Sequence, residues 1–398
     1  MGTSSAQARR SAGPPPSTGD AVVGPALLRF ATAAIPVHID PAAADAMAPV
    51  MRFLRPHVEI GPAGSGSTGP ASIEFLPRAA WARPARDGER TLVRRRTPGK
   101  HVWGERWQAG GRTVLYVPSS DTALDLADDG GHARVHVSDS SRYHASDLLR
   151  DVMWELASPD GIFVHAAAVS DGAGVIAVTG PKGAGKTTTA VDLLHAGCAF
   201  FTGDVLFLTG DAAYGFPDYP HVGWGTLRAF PRLLSAVAAL GLTPGDDGEK
   251  VLLPHDLYRT ALDAAHSVPP LPLHTVVVSE LGATGPARIE PAGPQPEALA
   301  RMDRQTSDPG QGWEPFLAAL SARAADARAV EGRAVEGRAV EGRAAEGREG
   351  EGREVDGRKG EARAPRAPSE PRQELRWYAR RGTGRLPADQ LRALLRQQ

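Results

Sequence analysis

Short runs in which apolar and polar residues alternate recur through the first third of the chain. Ser72-Ile73-Glu74-Phe75-Leu76, Thr113-Val114-Leu115-Tyr116-Val117 and Arg134-Val135-His136-Val137 lie between clusters of Gly and Pro. A period of two marks a strand with one buried face, so residues 25–145 read as a smaller β-rich domain. At Ser146 the period changes: Leu148, Leu149, Val152, Met153 and Leu156 keep the i, i+3, i+4 spacing of a helix. From Ile162 to about Val278, apolar runs such as Phe163–Val169 and Val175–Val178 alternate with helical stretches. Such runs suit strands buried on both faces, and their alternation with helices is the pattern of an α/β nucleotide-binding core, expected over residues 146–322.

The flanks lack either period. Residues 1–24 are rich in Ser, Gly, Ala and Pro and are expected as a disordered arm. Residues 328–363 repeat Arg-Ala-Val-Glu-Gly. A five-residue step turns by about 140° on a helix, so the valines never share a face, and each Gly adds a conformational cost. A disordered linker is therefore expected over residues 323–370. A C-terminal tail, 371–398, follows, in which Leu386–Leu395 has the pattern of a short amphipathic helix.

Composition narrows the partners. Among 398 residues, Lys plus Arg (45) nearly balances Asp plus Glu (46), so the overall charge carries no footprint for nucleic acid or an anionic membrane. The apolar runs are far shorter than the roughly 20 residues of a membrane span. The tryptophans, Trp103, Trp107, Trp154 and Trp224 among them, lack the spacing of a base-stacking platform and are assigned to cores. One cysteine, Cys198, permits no internal disulfide, and no charged-then-apolar signal segment is read at the start, so a cytoplasmic location is the expectation.

One motif carries chemistry. Gly180-Pro181-Lys182-Gly183-Ala184-Gly185-Lys186-Thr187-Thr188 fits G-x-x-x-x-G-K-[ST] in full. Small residues let backbone N–H groups curl around phosphates, Lys186 reaches the β and γ oxygens, and the Thr187 hydroxyl serves Mg²⁺. The apolar run Gly174–Thr179 before the loop and the helical pattern Thr187–Ala196 after it supply the strand–loop–helix setting that the motif needs. ATP with Mg²⁺ is the expected ligand. Lys182 either adds a phosphate contact or stands solvated.

The surrounding residues resemble the HPr serine kinase/phosphorylase family. In His165-Ala-Ala-Ala-Val-Ser-Asp-Gly-Ala-Gly174-Val-Ile-Ala-Val-Thr-Gly180, a histidine precedes the first loop glycine by fifteen residues, as in that family. Downstream, the stretch from Ala190 to Gly203-Asp204 keeps the family's spacing from the loop to an acidic pair. The rest looks like the shorter HPr-kinase-like proteins associated with bacterial peptide modification. Tyr219-Pro220 to Arg228 resembles their proline-and-arginine segment, Glu249-Lys250 to Pro254 their lysine-bearing strand entry, and Thr275–Leu281 with Pro296–Leu299 their last core strand and helix.

The resemblance implies a P-loop core with a mixed sheet of the HPr kinase/PEP carboxykinase kind. It implies an ATP-dependent kinase that moves the γ-phosphoryl group to a serine or similar hydroxyl of a protein or peptide. Asp204 would act as base or magnesium ligand, with Thr187 as the other metal contact; His165 and Arg228 would assist at the phosphoryl group. The best-known relatives assemble into closed rings, so the resemblance admits a homo-oligomer. Where the family has two adjacent aspartates, this chain has Gly203-Asp204. The alternative is therefore an ATP-binding accessory or regulatory protein with weak or absent catalysis.

Overall fold

The structure is a computed structural model that describes residues 22–63, 69–97, 100–218, 220–239, 250–253, 255–267, 269–280, 284–302, 312–346 and 375–396. It is a mixed α/β molecule with several mixed sheets. The first sheet is built from β1 (Gly24–Phe30), β2 (Ala33–Ile39), β3 (Glu59–Pro62), β4 (Ser72–Pro77), β5 (Asp87–Thr97), β6 (Lys100–Gln108), β7 (Arg112–Val117), β8 (Thr122–Ala127) and β9 (His132–Val137). Its order is β3-β1-β2-β4-β9-β8-β7-β6-β5, with parallel pairs only at β2–β4 and β4–β9. Two helices, α1 (Ala44–Leu54) and α2 (Arg142–Ala157), pack together beside it.

The second sheet follows. Strands β10 (Ile162–Ser170) and β11 (Val175–Thr179) form a hairpin, and α3 (Lys186–His195) leads to β12 (Ala199–Thr202), β13 (Val205–Thr209) and β14 (Ala212–Gly215). A separate ribbon pairs β15 (His221–Gly223) with β16 (Lys250–Leu252), and near it lie α4 (Trp224–Ala229), α5 (Pro231–Ala239) and α6 (His255–Leu262). The chain closes with β17 (Leu271–Ser279), β18 (Arg288–Pro291), α7 (Glu314–Glu346), β19 (Arg376–Arg381) and α8 (Ala388–Arg396).

Strand β11 pairs with β10 on one side and runs parallel to β17 on the other, while β10-β13-β14-β17 completes the circuit. Five strands thus close on themselves. Their interior is narrow, which explains why it is filled by small residues such as Ala166, Ala168, Ala177 and Ala213 with Phe201 and Leu206. Outside this ring a second cluster packs α3 to α6 and α8 through residues such as Val191, Leu194, Leu227, Leu233, Leu391 and Leu394.

The separation at residue 145 gives way to a shared core. Phe30 of β1, Trp154 of α2 and Phe163, Phe207 and Phe216 of the second unit form one aromatic cluster. Trp154 stacks on Phe163 at 3.8 Å, and Phe30 lies 5.3 Å from Phe216. A nine-stranded sheet has more apolar face than α1 alone covers, so the neighbouring strands and α7 complete its burial.

Two further expectations are corrected. The linker expected as disordered from residue 323 is helical to Glu346. Trp313, Phe316, Leu317, Leu320 and Ala324 are buried at its start, and Trp313 Nε1 donates to Asp151 at 2.7 Å. Packing there supplies the costly nucleus, and Ala, Arg and Glu, strong helix formers, extend it against one Gly in five. Residues 347–370 of that linker, like residues 1–21 of the expected arm, lie outside the described residues. The tail expected from residue 371 contains β19, an inner strand between β17 and β18, and Leu386 and α8 pack on the helical layer. No helix among the described residues is long and apolar enough to cross a membrane.

The turn between β8 and β9 tests this packing. Gly130 has φ +69°, and a Cβ there would meet Leu320 N of α7 at 2.3 Å, whereas Gly110, at φ +58°, faces open space. Gly130→Ala is expected to cost at least about 3 kcal/mol and Gly110→Ala about 1 kcal/mol, the strain of a left-handed alanine alone. Urea unfolding midpoints check this, and equal losses at the two positions would contradict the contact with α7.

Candidate functional site

All five residues of β11 are buried, and the strand delivers the chain to Gly180 at its carboxyl end. Gly180 has φ +133°, and a Cβ there would lie 2.3 Å from Ser279 O at the end of β17. Gly185 has φ +92°, and its Cβ would lie 2.9 Å from the Arg380 guanidinium. The two glycines are therefore required by close approach as well as by backbone conformation. From Gly185 the chain enters α3, which ends at Gly197 (φ +104°), where Cys198 N–H bonds Leu193 O at 3.2 Å.

Lys186 folds back over the loop. Its Nζ donates to Gly180 O at 2.8 Å and to Pro181 O at 3.2 Å, and the residue is only 7% exposed. Burial lowers its pKa, partly opposed by Asp204, while Lys250 pushes in the same direction as burial. Thr187 Oγ1 donates to His221 O at 3.4 Å, and Thr188 Oγ1 shares a hydrogen bond with Thr226 at 2.7 Å. Ala184 is buried, whereas Pro181, Lys182 and Gly183 are exposed.

Asp204 follows β12 in the turn into β13, opposite β10. The register of β10 sets His165 against Val205, and His165 Nε2 lies 2.9 Å from Asp204 Oδ1. A second imidazole, His221 of β15, lies 3.8 Å from Asp204 Oδ2. Burial alone would raise the Asp204 pKa. The His165 hydrogen bond, with the charges of His165, His221 and Lys250, overrides it and holds the carboxyl below its ordinary value. Asp204 is thus kept as a carboxylate.

Gly203, which precedes Asp204, has no room for a side chain. A Cβ on Gly203 would lie 2.9 Å from Pro220 Cα and 3.1 Å from its Cγ. Pro220 fills that space, and the next residue, His221, supplies the second polar neighbour of Asp204.

Beside the loop opens a cavity of about 460 Å³, lined by Gly183–Thr188, the start of α4, Lys250, Glu280 and the segment Gly382–Gly384. Arg380 of β19 lines it too, and sequence reasoning missed this residue. It is 3% exposed, and its guanidinium donates to Ala184 O (3.3 Å), Gly382 O (3.1 Å) and Gly384 O (2.8 Å). Its Nε has no hydrogen-bond partner among the described residues. Burial lowers the Arg380 pKa, while Asp192 draws it up. The only signal in the sequence was an arginine pair before Gly-Thr-Gly, about two hundred residues from the loop.

The structure therefore brings together Gly180–Thr188, Asp204 and His165, and adds His221, Lys250 and Arg380. Arg228 is exposed on α4 with no hydrogen bond or ion pair to this group among the described residues, and it lies outside the cavity lining, as do His165, Asp204 and His221. A scan against models of known protein families finds no match, and a search of curated proteins finds no match either.

A side chain at Gly203 tests the local packing. Gly203→Asp is expected to lower stability by about 1–3 kcal/mol through overpacking against Pro220, whereas Gly223→Asp, at a position with open space, changes it little. Thermal unfolding of the two variants measures this; an unperturbed Gly203→Asp protein would contradict the steric account.

Proposed function

We propose that the chain binds MgATP through a P-loop and transfers the γ-phosphoryl group to a serine or similar hydroxyl of a protein or peptide, as a kinase of the HPr-kinase-like kind. The observation that carries this reading is the convergence of a buried lysine, a threonine hydroxyl and a histidine-bound carboxylate on one glycine-lined loop. The fit to a triphosphate rests on the cradle itself. Gly183–Thr188 line the cavity, and the Arg380 side chain, with its unpartnered Nε, stands in the cavity wall.

In this reading Lys186 exchanges its two carbonyl partners for phosphate oxygens, and Arg380, packed against Ala184 and Gly185 of the loop, adds positive charge beside it. Thr187 and Asp204 would hold Mg²⁺, which would neutralise charge on the phosphates. With Thr187 as the protein's metal contact instead, Asp204, held as a carboxylate by His165, would accept the acceptor's hydroxyl proton as that oxygen bonds to the γ-phosphorus and ADP leaves. His165 orients the carboxylate. The cytoplasm, where ATP is abundant, is the compartment that goes with this reading.

A second reading is favoured by one observation. Pro220 occupies the space of the family's other aspartate, so Asp204 cannot share base and metal duties in the usual way. An ATP-binding regulatory protein with weak transfer would follow.

Labelled γ-phosphate transfer to proteins and peptides of the source cell's extract separates the two. With an active kinase, wild type labels a discrete acceptor. Lys186→Ala and Asp204→Asn each lower the rate by about a hundredfold or more, and Asp204→Asn still binds nucleotide. Binding of MgATP without labelling of any acceptor would establish the regulatory reading, and failure to bind MgATP would overturn both.

A further inference from the structure

Three stretches distant in sequence wall the cavity beside the loop: Gly183–Thr188, then Gly225, Thr226 and Ala229 of α4, and the turn Gly382–Gly384 after β19. The turn is held against the loop and its helix from both ends. Before it, Arg380 bonds Ala184 O of the loop. After it, Arg385 and Leu386 bond α3 through a single carboxylate. Asp192 Oδ1 accepts from Arg385 Nε at 3.0 Å, and Oδ2 accepts from Leu386 N–H at 2.8 Å.

Asp192 is 0% exposed, in a helix whose Val191, Leu193 and Leu194 belong to the apolar layer. Burial raises its pKa, opposed by the Leu386 N–H and by Arg385. Without those donors a carboxylate there would carry its desolvation cost unrelieved, so Asp192 suits α3 only with the C-terminal segment in place.

Arg385 reaches the third wall as well. Its guanidinium lies 4.5 Å over the ring of Phe230, the buried residue that follows α4. Thr188 and Thr226 already join α3 to α4 at the cavity itself, through their hydroxyls. One arginine thus ties the loop helix, α4 and the turn at a common point, while neither it nor Asp192 lines the cavity. A ligand held between these walls depends on their spacing, and a misplacement of about 1 Å at a site is costly.

We propose that Asp192 and Arg385 are positioning residues of the nucleotide site. Together they set the distance of the Gly382–Gly384 turn and α4 from the phosphate loop, and through it the affinity for MgATP. This role rests on the reading of the loop as a nucleotide site.

Titration calorimetry of the full chain with MgATP tests it, beside thermal unfolding of each variant. Asp192→Asn and Arg385→Ala should each weaken binding about tenfold, the effect of one charge-assisted hydrogen bond. The double variant should lose little more than the weaker-binding single variant, because the two residues act as one pair. Leu391→Ala, which removes a buried contact of α8 on the same helical layer, should lower the unfolding midpoint yet keep the affinity within about twofold. Arg385 is half-exposed, so its variant carries the test if Asp192→Asn does not fold. Wild-type affinity in Arg385→Ala beside a binding wild type would overturn this role alone, as would an equal loss in Leu391→Ala, which would mark a general loosening. A wild type that does not bind MgATP would overturn the reading of the loop, and this role with it.

Discussion

A guanidinium buried among backbone carbonyls holds the site together. Arg380 comes from the carboxyl end of β19, yet it bonds Ala184 O in the glycine loop as well as Gly382 O and Gly384 O in its own turn. Taking a charge out of water is costly unless donors find acceptors, so the loop and the turn are drawn to a common point. The sheet order makes this geometry available. Strand β17 runs parallel to both β11 and β19, which brings the carboxyl ends of all three to the same edge. Ligand sites of open α/β sheets gather at such edges because the loops there leave the sheet together.

The carboxylate end of the site is governed by a different balance. Burial disfavours charge on Asp204, but His165 at 2.9 Å and His221 at 3.8 Å compensate it. The ribbon β15–β16 carries both His221 and Lys250, and its entry through Pro220 excludes a side chain from Gly203. Gly203 thus belongs to a neighbourhood in which Pro220 fills the space of a side chain and an imidazole stands beside Asp204.

What was legible in the sequence was local. The apolar run of β11, the glycines and the lysine follow one another within about fifteen residues, and His165 and Asp204 lie within about forty. Period-two alternation marked β4, β7 and β9 because each has one face in the core. The rest depended on distance. β19 reads as Arg-Trp-Tyr-Ala-Arg-Arg, with charge at both ends, and its burial between β17 and β18 carries no periodic signal. Arg380 was hidden for the same reason, behind a repeat whose composition suggested disorder. The helix through that repeat was missed because its stability starts from Trp313 and Phe316, outside the repeat itself. Arg228 was suggested by resemblance alone, and on α4 it is exposed to solvent.

Backbone hydrogen exchange of the full chain with and without MgATP tests most directly whether the loop and the Arg380 turn form one nucleotide site. Protection is predicted in residues 180–188 and 380–384 together, and it should be lost in Lys186→Ala. Protection of the loop without the 380–384 turn, or no change in either segment at saturating MgATP, would contradict it.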